Sequence, residues 1–365
     1  MVIYYESINS LIFTIKMNNN LNTTKNNKNG IFVEALQLAI SNLPERSRKV
    51  IWERYGVDGA GVKTLEEIGG KFGITRERVR QIIREVCKKI KAKSKDAVLS
   101  EVSKKIIFTL EQNSGIMKEE SLLGELSGSN EKQKGAAKFF VECLDDVISY
   151  EIKGTMDKAC VLSGFDVEFW EGLKNEIVAI LKAKKFPASE EELFEEFSKK
   201  KIGTNVSKDK MFAYLSVSLE VKKNIFGKWG ISKSSEITPK GTRDKAYLVL
   251  KESGKPMHFK DIAKKIDSYG LNKRKTHPQT VHNELIKDEK FVLVGRGIYA
   301  LSQWGYKKGT VKDVLEEVLR GKIKGMEKDE VIKEVLKVRQ VKQSTVIINL
   351  NNYFKKTKEG KYIAK

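Results

Sequence analysis

Arg76, Glu77, Arg78, Arg80, Gln81 and Arg84 crowd into nine residues of this chain. These are side-chain types that can read base edges in a DNA major groove: Arg donates twice to guanine, Gln pairs with adenine, and Glu accepts from cytosine. To act together they must project from one rigid element, and the surrounding residues, 64–90, supply it. The pattern predicts two short helices joined by a tight turn. Leu65, Ile68 and Phe72 fall at i, i+3 and i+7 and give the first helix one face to bury. Gly73 follows, where a residue of positive φ is needed to end a helix. Thr75 is placed to cap the second helix, and with Arg78 three positions on there is no full capping box. The six polar side chains then lie within about two and a half turns of that second helix. The arrangement is a helix-turn-helix.

Together with LPERSRKVIWERYGV at 43–57, this stretch resembles region 4 of the bacterial sigma-70 family of transcription initiation factors, over residues 31–92. The resemblance implies that Leu43, Pro44, Glu45, Arg46, Arg48, Val50, Arg54 and Tyr55 pack beneath the reader helix. It implies that TRERVRQI reads a promoter −35 element, with Arg76, Glu77, Arg80 and Gln81 facing bases or nearby phosphates. Arg78 would hold phosphate or brace the fold, and Thr75 and Arg84 complete the candidate DNA-binding set on this helix. Ile83 stands where the family usually has an acidic residue. A working sigma factor also carries an aromatic-rich helical region that captures the −10 element. Residues 1–30 are too short for it, so the chain reads as sigma-like without being a complete sigma factor.

Charge agrees with a polyanionic partner. Lys and Arg number 69 against 48 Asp and Glu, a formal net charge of +21, which favours nucleic acid through counterion release and steering. A Lys-rich background on solvated faces would raise the same sum. Residues 1–30 are Asn-rich and read as a disordered lead. The apolar run at 10–15 is too short to span a membrane. Cys87, Cys143 and Cys160 are odd in number and widely spaced, with no metal or disulfide pattern. That spacing suits a reducing cytoplasm, and the DNA-binding reading would place the protein at the nucleoid.

Beyond residue 95 the chain repeats itself. GKWGIS at 227–232, GRGIYALS at 295–302 and GKYIAK at 360–365 each set a Gly two positions before an aromatic. Val221, Phe291 and Phe354 each lie six positions before the glycine. TVHNEL at 280–285 and TVIINL at 345–350 match ahead of the second and third copies. The period is about 65 residues, and the unit reads as helices followed by a short hairpin, the plan of a winged helix. TVIINL is mostly apolar and reads as packing, not base reading.

Residues 243–304 resemble the HARE winged-helix domain, through Ala246, Leu250, KPMHFKDIA, Pro278 and the GRGIYAL wing. Arg296 at the wing tip, with Lys273, Arg274 and Lys275 ahead of the third helix, forms a second candidate phosphate-contacting group. The expected fold class is mainly α with small β wings, a tandem array of helix-turn-helix and winged-helix modules. Its parts would be a lead at 1–30, the sigma-like unit at 31–95, winged helices at 96–168 and 169–238, the HARE-like unit at 239–307 and a last module at 308–365. The second module would use VISYEIKGTMDKACVLSG as its wing, turning at Gly154.

Enzyme chemistry finds no foothold in the sequence. His258, His277 and His282 have no Cys or acidic cluster at metal spacing. Gly69-Gly70-Lys71 lacks the first spaced glycine and the following Ser/Thr of a phosphate loop. None of the five prolines precedes Asp, which removes the nuclease pattern sought because HARE domains sometimes accompany restriction nucleases. No cofactor and no small-molecule substrate is expected. The main reading is a transcription regulator that binds double-stranded DNA and contacts RNA polymerase. Two others stay open: a polymerase-docking scaffold that does not read DNA, and a sequence-indifferent chromosome-coating protein.

Overall fold

The computed structural model describes residues 30–92, 97–306, 309–322 and 324–364. Apart from Gly30, the lead at 1–30 lies outside the described residues. The chain divides into two compact units, one of residues up to 184 with 191–222, the other of 185–190 with 223 onward.

The first unit opens with α1 (Gly30–Ile40), α2 (Glu45–Tyr55), α3 (Leu65–Phe72) and α4 (Arg76–Lys91). Next come α5 (Ala97–Gln112), β1 (Ile116–Lys118), α6 (Glu119–Ser127) and α7 (Glu131–Cys143). Strands β2 (Val147–Ile152) and β3 (Met156–Leu162) then form an antiparallel hairpin, with Gly154 at φ +86° in its turn. Strand β1 pairs on the far side of β3, giving the order β1-β3-β2. The hairpin expected for the second module is therefore present, widened by one strand.

The cores of the first two expected modules are continuous. Phe32, Val50, Ile68, Val79 and Val86 belong to one buried cluster with Leu99, Ile106, Leu122, Phe139 and Cys160. Helix α7 supplies the join. Gln133 accepts from the Phe32 amide at 3.0 Å, and the Tyr55 hydroxyl donates to Glu142 at 2.5 Å. The Tyr55 ring meets Phe139 edge-on, with centroids 5.2 Å apart. Burial and the facing Glu142 carboxylate both push the Tyr55 hydroxyl's pKa up, so it stays a neutral donor. Gly135 makes the approach possible: a Cβ there would lie 1.9 Å from the Tyr55 carbonyl oxygen.

The cysteine expectation fails here. Cys87 on α4 and Cys143 at the end of α7 are disulfide-bonded across 56 residues, and Cys160 alone is a free thiol. Spacing could not reveal the pair, because only the packing of α4 on α7 through the shared core brings the two sulfurs together.

The rest of the first unit holds α8 (Val167–Lys184) and α10 (Lys208–Ser216), with α9 (Glu190–Ser198) between them. Trp170 is fully buried and donates its indole N–H to the Tyr214 carbonyl at 3.0 Å. Strand β4 (Val221–Lys223) falls at the boundary of the two units, and β5 (Trp229–Ile231) belongs to the second. Within the second unit, Trp229 exchanges backbone hydrogen bonds with Ala188 at 2.8 and 2.9 Å.

The second unit also contains α11 (Thr242–Ser253), β6 (Met257–His258), α12 (Phe259–Ser268) and α13 (Pro278–Lys287). Strands β7 (Phe291–Gly295) and β8 (Ile298–Leu301) complete a sheet of order β6-β8-β7. The last segment is α14 (Val311–Leu319), α15 (Lys328–Val338), α16 (Gln343–Tyr353), β9 (Lys355–Lys356) and β10 (Tyr362–Ile363). The two segments have separate apolar clusters. They are tied by the Arg339 guanidinium on the Leu293 carbonyl and by Gln340 N–H on Val294 O at 3.1 Å.

The repeat has a common physical basis. Trp229, Tyr299 and Tyr362 are buried on the returning strands, and Val221, Phe291 and Phe354 are buried ahead of the turns. Val281 and Leu285 of α13 have their counterparts in Val346 and Leu350 of α16, and all four are buried. Ile348 in the same apolar run is instead exposed. The architecture is mainly α with small antiparallel β wings.

Candidate nucleic-acid interface

Helix α4 is set by the turn before it. Thr64 caps α3 by accepting from Glu67 N–H at 3.2 Å, while the Glu67 carboxylate accepts from Thr64 N–H at 2.7 Å, a complete capping box. The sequence reading missed it, although the T-x-x-E spacing at 64–67 carries the signal. Helix α3 ends on Gly73 in the left-handed region, at φ +62°. Gly69, one turn back, lets α4 begin close by. Its missing side chain leaves room for the Ile74 carbonyl, which a Cβ would meet at 2.6 Å.

Thr75 then caps α4 by accepting from Arg78 N–H at 3.2 Å, with no reciprocal carboxylate, as the spacing requires. Val79, Ile82, Val86 and Ile90 are buried. At about 100° per residue, Arg76, Glu77, Arg80, Gln81 and Arg84 fall within roughly 140° of arc on the opposite side. Arg76, Glu77, Gln81 and Arg84 are exposed and Arg80 is half-buried. The structure therefore brings five of the candidates onto one solvent-facing stripe.

Arg78 stands apart from them. Its guanidinium lies against Gln81 at 3.1 Å and Glu85 at 3.3 Å, on the flank of the helix. That position fits bracing better than base reading. Arg80 is held by Glu77 through two hydrogen bonds, one of 2.7 Å from Nε. The Arg80 hydrogen bond keeps the Glu77 carboxyl below the usual carboxylate range, and Glu77 in turn raises the pKa of Arg80. Both side chains are thus charged at neutral pH and pre-arranged side by side.

Beneath α3 lies an ionic hub that the sequence reading did not single out. Glu53 of α2 is buried and pairs with Lys63 at 3.0 Å and with Lys71 of α3. Burial alone would raise its pKa, but the hydrogen bonds from Lys71 and Lys63 outweigh it and the net shift is downward. Arg54 donates to the Lys63 carbonyl at 3.0 Å, and Arg46 donates to the Phe72 carbonyl at 2.6 Å. Of the residues expected beneath the reader helix, Val50 and Tyr55 are buried. Arg46 and Arg54 act as clasps on the ends of the loop and of α3.

In the second unit, Arg274, Lys275 and Lys273 are exposed in the loop before α13, and Arg296 is exposed at the wing tip. Pro278 occupies the first turn of α13. Under the wing, His258 caps α12 by accepting from Lys260 N–H at 3.2 Å and stacks on Phe259. The Tyr299 hydroxyl lies 3.1 Å from His282 Nδ1. These histidines are built into the packing of the wing. Among the described residues, no cluster of His, Cys, Asp or Glu is placed to hold a metal ion. No helix of the described residues is long and apolar enough to cross a membrane.

Two family models match this chain. Residues 39–92 match "Sigma-70, region 4", and residues 242–304 match HARE-HTH, a helix-turn-helix domain whose description includes restriction endonucleases. Similar curated proteins include RNA polymerase sigma factor SigA1 of Synechococcus elongatus and RNA polymerase sigma factor SigA of a Nostoc species. Each is 43% identical over 68 residues, which is 19% of this chain and 17% of the relative. RNA polymerase sigma factor SigA of Listeria monocytogenes is 37% identical over 68 residues, 19% of this chain and 18% of that protein. The chain thus spans under a fifth of the length of the curated relatives it matches. The segment around α2–α4 is a sigma-type helix-turn-helix, and residues 242–304 are a HARE-type winged helix.

Proposed function

We propose that this chain is a transcription regulator that binds duplex DNA by laying the first half of α4 in the major groove of a promoter-like site. Arg80 and Gln81 would read base edges, with Glu77 fixing the Arg80 fork. Arg76 and Arg84 would contact bases or phosphates at the two ends of the stripe. Thr75 would act through its cap, and Arg78 through its brace to Gln81 and Glu85. The observation that carries this reading is the arc of α4 itself. Five side chains of base-reading type face solvent, and the opposite face is sealed into the helix-turn-helix core.

The named relatives are RNA polymerase sigma factors, and on that similarity we extend the proposal to contact with RNA polymerase. Arg296, Arg274 and Lys275 would add phosphate contacts from the HARE-type module. Linked modules raise one another's effective concentration, so weak contacts can sum to firm binding. The role is non-catalytic and is assigned to the cytoplasmic nucleoid.

The test is Arg80→Ala, measured on a preferred duplex and on random duplex at the same salt. Loss of a bidentate base contact costs about 1 to 3 kcal/mol on the preferred site and relaxes specificity at one base pair. Equal loss on both duplexes would reduce Arg80 to a phosphate contact. Retention of purified polymerase by a variant lacking the reader arginines would separate docking from DNA reading.

A further inference from the structure

We propose that Cys87 and Cys143 are a reversible thiol–disulfide switch that locks the reader helix to the second module; the functional meaning of the lock rests on α4 being the DNA reader. Cys87 lies about three turns along α4, on the edge of the helix that also carries Arg80. Cys143 is the last residue of α7. Their disulfide therefore joins the rear half of α4 to a helix more than fifty residues away. One turn further along, Lys91 pairs with Asp145 across the same seam. That ion pair is exposed and weak in salt, so beyond the shared apolar packing of Val86 and Ile90 the disulfide is the strong link at this seam.

Exposure assigns the chemical roles. Cys87 is half-buried and reachable from solvent, whereas Cys143 is only 3% exposed. Cys87 is thus the attacking thiol and Cys143 the resolving one. Arg84 and Lys88 lie within one turn of Cys87 along α4, and their charge favours the approach of an anionic oxidant such as glutathione disulfide. Its thiolate attacks that disulfide, forms a mixed disulfide and expels one glutathione thiolate. The Cys143 thiolate then attacks the Cys87 sulfur and expels the second glutathione. Two electrons pass from the cysteines to the glutathione disulfide, and the two cysteine protons end on the two released thiols. The third thiol stays out of the exchange. Cys160 is buried, and its thiol is pushed up to about 12 by that burial.

The test uses the full chain, equilibrated in buffers of graded reduced and oxidised glutathione, then alkylated and mapped by mass spectrometry. Amide hydrogen exchange follows α4 in parallel. The switch requires the Cys87–Cys143 cross-link in oxidising buffer and its loss in excess reduced glutathione. It also requires exchange in the last two turns of α4 to slow at least about tenfold on closing, within what closing a long loop can contribute. Cys143→Ala should accumulate glutathione on Cys87, and Cys87→Ser should take up none. A cross-link that never forms overturns the proposal, as does one that survives excess reduced glutathione. Equal exchange in the two states also overturns it. If neither state binds duplex DNA, the DNA-reading proposal fails while cross-link and exchange still decide the switch.

Discussion

Adjacent glycines at 69 and 70 offer a sharp test of how the reader helix is positioned. Both sit in α3 with ordinary helical backbone, so alanine at either should gain about 0.5–1 kcal/mol of helix propensity. Their surroundings differ. A Cβ on Gly70 meets nothing within 4 Å, whereas one on Gly69 meets the Ile74 carbonyl at 2.6 Å. Ordinary contact begins near 3.4 Å, so the α3–α4 turn would have to open by about 0.8 Å. Forced overpacking of that kind costs about 1–3 kcal/mol. Gly70→Ala should therefore be neutral or stabilising. Gly69→Ala should lose about 1–2 kcal/mol net and should tilt α4 relative to α2. Amide exchange across α3 and α4, together with affinity for a selected duplex, reads both effects. Two alanine variants with the same exchange protection and the same affinity would refute the claim that this turn sets the reader helix.

Three other perturbations probe neighbouring links. Glu53→Gln removes a buried carboxylate whose folded pKa is lowered, so its contribution is present above the ordinary carboxylate value of 4.5 and fades as pH falls through the folded value. The variant should lose about 1–3 kcal/mol at pH 7 and should match the parent in acid, as judged by urea unfolding at both pH values. Gly135→Ala places a Cβ 1.9 Å from the Tyr55 carbonyl and should cost about 3 kcal/mol or more. Exchange should then rise on α2 and α7 together, since they share one core. Glu77→Ala should leave stability essentially unchanged, because the ion pair is exposed. It should weaken discrimination on a preferred duplex by freeing the Arg80 fork, which competition binding against random duplex would register.

Local chemistry was legible in the sequence and long-range packing was not. The turn at Gly73, the Thr75 cap and the apolar face of α3 follow from spacings of one helical turn, and all are present. The wing anchors Trp229, Tyr299 and Tyr362 were readable because a hairpin with one buried aromatic repeats at a fixed period. The Cys87–Cys143 bond and the core running from Phe32 to Cys160 depend on α7 crossing back onto α1, α2 and α4. No short-range pattern encodes that return. Its clues, Gln133 beneath Phe32 and Gly135 against Tyr55, acquire meaning only once the helices are placed. At the interface, residue types marked out the stripe on α4, and the family resemblance already set Arg78 apart as a phosphate contact or brace, but neither named its partners. The geometry separates Arg78, bound to Gln81 and Glu85, from Arg80 held by Glu77.

The most direct measurement is selection from random duplex DNA with the purified chain at about 0.15 M salt, where weak nonspecific contacts are partly screened. The retained sequences should share a short −35-like motif, and that motif should vanish with Arg80→Ala. Duplexes retained without any common motif, or a motif indifferent to Arg80, would contradict the claim that α4 reads DNA.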